Sequence, residues 1–170
     1  LYHLFSGVDA NSLPGMEPLL QESGLKPPAT VNRAVLVGTK LSPGQPEVKP
    51  DGTEVRTIWG ELAWELGGRE GYDMVRRSDE TGTNPGGALV DLLRTYSPCT
   101  VLIDEWVAYA RQLYGVNDLP GGSFDTQFTF AQALTEAAAA VPGAMVVISL
   151  PQSVVELGSE GGKEALKRLK

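Results

Sequence analysis

Three short apolar runs divide the chain, and each is flanked by segments with helical periodicity. The runs are "RAVLVGT" (33–39), "TVLID" (100–104) and "AMVVIS" (144–149). Each is short and rich in Val, Ile and Leu, which predicts a strand that is buried on both faces. Buried strands that alternate with helices are typical of a parallel sheet with right-handed crossovers. The pattern therefore predicts an α/β fold.

Helical periodicity occupies most of the remaining chain. Apolar residues repeat at four-residue spacing in "TIWGELAWELGG" (57–68), whose glycine pair predicts its end. "TNPGGALVDLLRTY" (83–96) predicts a helix capped by Thr83 or Asn84. The segment 40–54 is dense in Pro and Gly and is predicted to be a loop with a tight turn at "PDG". Further helices are predicted in residues 1–7, 11–24, 71–82, 105–115, 123–143 (capped by Ser123 or Asp125) and 159–170.

Composition places the chain among ordinary globular proteins and excludes several functions. Its 170 residues fit one domain, 1–170, and no apolar run is long enough to span a bilayer. The net charge of −7 argues against direct binding of this segment to nucleic acid. His3 is the only histidine, which argues against a His-based metal site or a Ser-His-Asp triad. Cys99 is the only cysteine, so we expect a reducing, cytoplasmic location.

Two adjacent acids, Asp104 and Glu105, follow the second strand. An apolar strand that ends in Asp-Glu is the Walker B pattern of nucleoside-triphosphate hydrolases. There the Asp holds magnesium and the Glu polarises the attacking water. The structural alternative is that the acids only end a strand and begin a helix. Ser149 ends the third strand, where a polar residue either senses the terminal phosphate or bonds to nearby backbone.

The phosphate-binding loop of such enzymes is missing. The pattern G-x-x-x-x-G-K-[ST] occurs nowhere in the chain. "GTKLSPG" (38–44) has a Lys after a strand but no Ser or Thr directly after that Lys, and "GTNPGG" (82–87) has no Lys. These residues alone are therefore not expected to bind ATP in the usual way.

Several long segments resemble a family of large prokaryotic ATPases known as DUF499. They include "LYHLFSG", "RAVLVGTKLSPGQPEVKPDGTEVRTIWGELAWELGG", "VLIDEWVAYARQLYG", "GSFDTQFTFAQALTEAAAAVPGAMVVISLPQS" and "GGKEALKRLK". The resemblance implies an AAA-type P-loop ATPase that uses ATP and Mg²⁺. Asp104 then matches the magnesium residue, Glu105 the catalytic glutamate and Ser149 the sensor. The family's gene neighbours include DNA methyltransferases, which implies partner proteins in DNA modification or phage defence.

In that family the Walker A loop comes immediately before the "LYHLFSG" helix. We therefore expect a partial P-loop NTPase core, a three-layer sandwich without its first strand and phosphate loop, which is inactive alone. The strand at 144–149 would then be an open sheet edge, and we expect it to self-associate or to bind other segments of the parent chain. Arg69 and Arg111 are expected to be surface charges rather than arginine fingers.

Two other functions remain open. In the first, the chain is a non-catalytic α/β scaffold or partner-binding module in which the two acids are structural. In the second, both carboxylates serve as acid and base of a different hydrolase, acting on a sugar. Adjacent strand residues point to opposite faces, which argues against the second because glycosidase acids must flank one bond.

Overall fold

The computed structural model describes residues 8–9, 12–24, 26, 30–151 and 159–169. The predicted helix at 1–7 lies outside these residues. The described strands are β1 (Asn32–Val37), β2 (Glu47–Val48), β3 (Glu54–Val55), β4 (Cys99–Asp104) and β5 (Ala144–Ile148). The described helices are α1 (Met16–Ser23), α2 (Ile58–Thr81), α3 (Ala88–Thr95), α4 (Trp106–Ala110), α5 (Phe124–Ala140) and α6 (Glu160–Leu169), with a 3-10 turn at Arg111–Leu113.

The main sheet has three parallel strands in the order β1-β4-β5, which confirms the predicted α/β class. Val35 is opposite Leu102, and Leu102 is opposite Val147, so the three strands run in close register. Because the strands are parallel, their carboxyl ends lie at one edge of the sheet. Residues that follow the three strands therefore meet there.

The hydrophobic core lies between one face of the sheet and the helices α2, α3 and α5. Ala34, Leu36, Val101 and Ile103 point into it from β1 and β4 and are almost fully buried. On the helical side, the Phe130 ring lies between two buried tryptophans, 5.4 Å from the Trp59 ring and 5.5 Å from the Trp106 ring. Burial of these large side chains is the main force that holds the helices on this face.

The opposite face of the sheet is also apolar. Val35, Val37, Leu102, Met145 and Val147 point to it, yet they are only half-buried and lie outside the core cluster. Parallel sheets are normally covered on both faces. Within the described residues the fold therefore has one helical layer on the sheet, and the second layer of the expected sandwich is not seen there.

The segment 40–54, predicted to be a loop, contains the short antiparallel hairpin β2-β3. The tight turn predicted at "PDG" is confirmed, since the Gly52 amide donates to the Lys49 carbonyl at 2.8 Å.

Two predicted helix starts are wrong. α3 begins at Ala88 rather than after Thr83 or Asn84, because Asn84 accepts from the Gly86 amide in a turn. α1 begins at Met16, although it ends at Gly24 as predicted.

α2 is bent into two helices at the predicted glycine pair, where Gly67 and Gly68 leave helical geometry. The bend folds the second half back, so that the fully buried Asp79 reaches the start of the first half. The Asp79 carboxylate accepts from the Thr57 amide at 2.8 Å, the Thr57 hydroxyl at 2.6 Å and the Arg56 amide at 3.1 Å. The Tyr72 hydroxyl donates to it at 2.9 Å. Burial and the nearby carboxylate raise the pKa of Tyr72, which keeps this donor protonated.

Replacement of Asp79 by asparagine should destabilise the fold. An amide keeps the shape but directs N–H groups at backbone and hydroxyl donors, so Asp79→Asn should lower the free energy of unfolding by about 3 kcal/mol. The exposed neighbour provides the control, because Glu80→Gln removes one charge but none of the hydrogen bonds of this network. Urea denaturation measures both variants. Equal stability of the two would show that the Asp79 network does not hold the bend.

β5 forms an edge of the sheet in the described part of the chain, and it has no charged residue or proline to protect that edge. We predict that the chain self-associates and that Val147→Lys reduces this association, because it places a charge on the half-buried face beside the edge. Val48→Lys, at a 64% exposed position on the hairpin, is the matched control. Light scattering at several concentrations gives the mass. A monomeric chain, or equal effects of both lysines, would contradict the prediction.

Candidate functional site

The carboxyl edge of the sheet brings together all three residues singled out in the sequence. Asp104 is the last residue of β4, Glu105 follows it, and Ser149 follows β5. A fourth polar residue, Thr39, lies in the turn that follows β1. The side chains of all four are exposed, so this edge carries two solvent-accessible carboxylates and two hydroxyls.

Ser149 connects the two acids. Its hydroxyl donates a short hydrogen bond to Asp104 Oδ1 and accepts from the Glu105 amide at 3.2 Å. The Ser149 amide extends the sheet ladder by donating to the Ile103 carbonyl at 2.9 Å. The ladder therefore fixes the backbone of Ser149 beside the end of β4. Ser149 thus makes the bond to nearby backbone that the structural alternative expects, while its role as a phosphate sensor stays a prediction.

Thr39 was missed by the sequence analysis, and it holds the second acid. Its hydroxyl donates a short hydrogen bond to Glu105 Oε2 across a separation of 66 residues. Its position in the sequence could have pointed to it, because Thr39 ends the apolar run of β1 just as Ser149 ends that of β5. The two carboxylates are therefore each bonded to a hydroxyl from a neighbouring strand end.

Glu105 adopts an unusual backbone conformation, with φ of 54° and ψ of 33°. This left-handed geometry is uncommon for residues other than glycine and is often found at functional sites. It ends the strand abruptly, and the Glu105 carbonyl then accepts from the Ala108 amide at 2.9 Å in the first turn of α4. Side chains no longer alternate between the two faces of the sheet at this point, so those of Asp104 and Glu105 line the same cleft.

The turn at Glu105 is possible because Gly38 has no side chain. A Cβ atom at Gly38 would lie 2.2 Å from the Glu105 carbonyl oxygen and 3.2 Å from Tyr109 Cβ. The Gly38 amide also donates to the Asp104 carbonyl at 2.8 Å. The end of β1 therefore packs directly against the backbone that carries both acids.

The cleft at this edge has a volume of about 270 Å³. Its lining combines two acids and a hydroxyl with apolar residues, and consists of Asp104, Glu105, Val107, Ala108, Ser149, Leu150 and Pro151. The adjacent Trp106 is fully buried and its indole N–H donates to Gln127 at 3.3 Å, which anchors the start of α4.

The site offers oxygen ligands to a cation but not a complete set of protein ligands. Among the described residues, no group of three or more His, Cys, Asp or Glu side chains could hold a metal ion. Magnesium does not require one, since it keeps several waters and is commonly bound by one or two carboxylates together with phosphate oxygens. The exposed Asp104 carboxylate, with hydroxyls nearby, fits that mode of binding.

Other residues considered from the sequence do not join the site. Cys99 is buried, and burial raises the pKa of its thiol to about 11, so it is an unreactive core residue. Arg69 pairs with Asp73 at 3.1 Å on the surface of α2. His3 lies outside the described residues. None of the helices that the structure describes has the length and apolarity needed to cross a membrane.

The close approach of Gly38 to Glu105 gives a direct test of this geometry. Gly38→Ala should lower the free energy of unfolding by about 2 kcal/mol, because the new methyl group overlaps the Glu105 carbonyl. Gly87→Ala is the matched control, since a Cβ atom there meets nothing within 4 Å. Thermal and urea unfolding compare the two variants. If alanine is tolerated equally at both positions, the described packing is incorrect.

Comparison with known protein families identifies the family of the chain but gives no activity for it. No curated protein matches the chain, and no solved structure does. A family profile, the DUF499 N-terminal domain, matches residues 29–168, which is well over half of the chain and includes Thr39, Asp104, Glu105 and Ser149. The chain therefore belongs to the DUF499 family.

Proposed function

We propose that this chain carries the magnesium and water-activating half of an ATPase site. The observation that supports this most strongly is the convergence of Asp104, Glu105 and Ser149 on one exposed cleft at the carboxyl edge of a parallel sheet. In open parallel sheets, ligands bind at this edge. Two carboxylates and a hydroxyl that are joined by hydrogen bonds are suited to phosphate hydrolysis assisted by a cation.

Asp104 is the proposed metal residue. It ends the central strand of the sheet, so its backbone is fixed on both sides by β1 and β5. Its carboxylate would hold Mg²⁺ directly or through water. When bound, such an ion neutralises charge on the phosphates of the nucleotide.

Glu105 is the proposed base. Its carboxylate lines the same cleft as Asp104 and would accept a hydrogen bond from the attacking water, which it orients toward the phosphate. Thr39 donates to one of its oxygens, Oε2, and the carboxylate has a second oxygen for the water. Ser149, exposed at the cleft, would donate its hydroxyl to the terminal phosphate in place of its present bond to Asp104.

The proposal requires a phosphate-binding loop from residues outside 1–170, because the chain contains no such motif. Among the strands that the structure describes, β5 has no neighbour on its outer edge, which offers a place for the strand that brings this loop. A strand added there would be next to Ser149 and would place its own carboxyl end at the same edge of the sheet. The resemblance adds wider expectations: an AAA-type ATPase that remodels a substrate in DNA modification or phage defence, with the partners of such a system.

Turnover of ATP by the full-length protein tests the roles of the two acids. Glu105→Gln should lower kcat about 100-fold with little change in KM, because the amide cannot accept the water proton. Asp104→Asn should lower activity and raise the Mg²⁺ concentration that is required. Glu136→Gln on the exposed surface of α5 is the charge-matched control and should behave as the wild type.

Unchanged turnover in Glu105→Gln would remove this residue from catalysis. If the full-length protein has no ATP turnover, and the variants alter only its stability or its binding to other proteins, the non-catalytic scaffold becomes the better assignment. In that case the hydrogen bonds from Ser149 and Thr39 simply satisfy two strand-end carboxylates.

A further inference from the structure

The Glu105 carboxylate receives its hydrogen bond from a different strand end, that of β1. The Thr39 hydroxyl donates to Glu105 Oε2. Among the residues that the structure describes, no other side chain donates to this carboxylate, and no cation pairs with it. Within that part of the chain, the direction of the Glu105 side chain therefore depends on one donor.

Two backbone hydrogen bonds hold Thr39 in place, one on each side of it. The Gly38 amide donates to the Asp104 carbonyl at 2.8 Å, and the Lys40 amide donates to the Val37 carbonyl at 2.9 Å. The first bond continues the pairing of β1 with β4, and the second closes the turn that follows β1. The threonine side chain is also branched at Cβ, which restricts its rotation about χ1. The donor is therefore presented from a fixed point beside the end of β4.

The backbone of Glu105 is held in place independently of its side chain. Its amide donates to the Ser149 hydroxyl at 3.2 Å, and its carbonyl accepts from the Ala108 amide at 2.9 Å. A glutamate side chain has several rotatable bonds, and ordering it costs conformational entropy. Because Glu105 is exposed, packing alone does not order it. The hydrogen bond from Thr39 fixes the far end of a side chain whose backbone is already fixed.

The bond from Thr39 is compatible with the proposed role of Glu105 as a base. It engages Oε2, whereas Oε1 accepts no hydrogen bond from any residue that the structure describes. Oε1 can therefore accept from the attacking water while Thr39 stays bonded to Oε2. The bond from Ser149 to Asp104 differs in this respect, because it engages the carboxylate that would hold the metal.

A base is effective only when its accepting oxygen lies within hydrogen-bonding reach of the water that it activates. Small errors in the position of a reacting group lower the rate steeply. The carboxylate is planar, so a donor that fixes Oε2 also restricts the position of Oε1. A hydrogen bond to a charged acceptor is among the stronger ones, which suits Thr39 to this task.

We propose that Thr39 is a positioning residue, which holds the Glu105 carboxylate by Oε2 and leaves Oε1 for the attacking water. Thr39 acts through Glu105 and does not itself contact the phosphate. Its role rests on the proposed ATPase function, because it requires that Glu105 activates a water.

Turnover of ATP by the full-length protein tests this role. Thr39→Val keeps the branched shape but removes the donor, so it should lower kcat about tenfold and leave the KM for ATP and the Mg²⁺ requirement unchanged. Thr39→Ser keeps the hydroxyl and should retain most of the wild-type rate. Thr95→Val in α3 is the matched control, because its exposed hydroxyl donates to the Asp91 carbonyl of its own helix.

A double variant distinguishes positioning from a general structural role. If Thr39 acts through Glu105, Thr39→Val should cause no further loss of kcat in a protein that already carries Glu105→Gln. Losses that multiply in the double variant would overturn the positioning role. So would a rate in Thr39→Val that equals or exceeds that of the wild type, or an equal loss in Thr39→Ser.

These outcomes differ from a failure of the proposed function. In each of them the wild type turns over ATP and Glu105→Gln impairs it, so only the role of Thr39 is lost. Absence of ATP turnover in the wild type, or full turnover in Glu105→Gln, would refute the proposed function and the positioning role with it.

Discussion

The close contact between the end of β1 and the end of β4 is the constraint on which the candidate site depends. Gly38 leaves room for the Glu105 carbonyl, and this allows Glu105 to turn in a left-handed conformation directly after a central strand. The turn places two consecutive carboxylates in one cleft, which an extended strand would direct to opposite faces. The same contact brings Thr39 within hydrogen-bonding distance of Glu105.

The rest of the fold holds this turn in place. Trp106 and Phe130 anchor α4 to α5, and the ladder to β5 fixes Ser149 beside Asp104. Asp79, in the second half of α2, accepts hydrogen bonds from the start of the same helix. It therefore supports the segment that leads from β1 into the helices. The hydroxyls of Thr39 and Ser149 are therefore presented by strand ends whose positions are set by packing and not by the acids themselves.

The sequence predicted the parts of this arrangement that depend on local pattern. Apolar runs located the three strands, and the polar residues at their ends located Asp104, Glu105 and Ser149. The role of Thr39 was not predictable in the same way, because it arises from a contact between residues far apart in the chain. The sequence analysis did not single out Asp79, because its burial depends on the bend at Gly67 and Gly68, which brings together the two halves of α2. The strands β2 and β3 have two residues each, too few to show a period.

The proposed function requires that the cleft formed by Asp104, Glu105 and Ser149 binds the terminal phosphate and the metal of ATP. A crystal structure of the full-length protein with Mg²⁺ and a non-hydrolysable ATP analogue tests this most directly. We expect the metal to be bound by Asp104, directly or through water, with the terminal phosphate at Ser149 and a water at Glu105. A nucleotide bound elsewhere, with Asp104 and Glu105 still bonded only to Ser149 and Thr39, would contradict it.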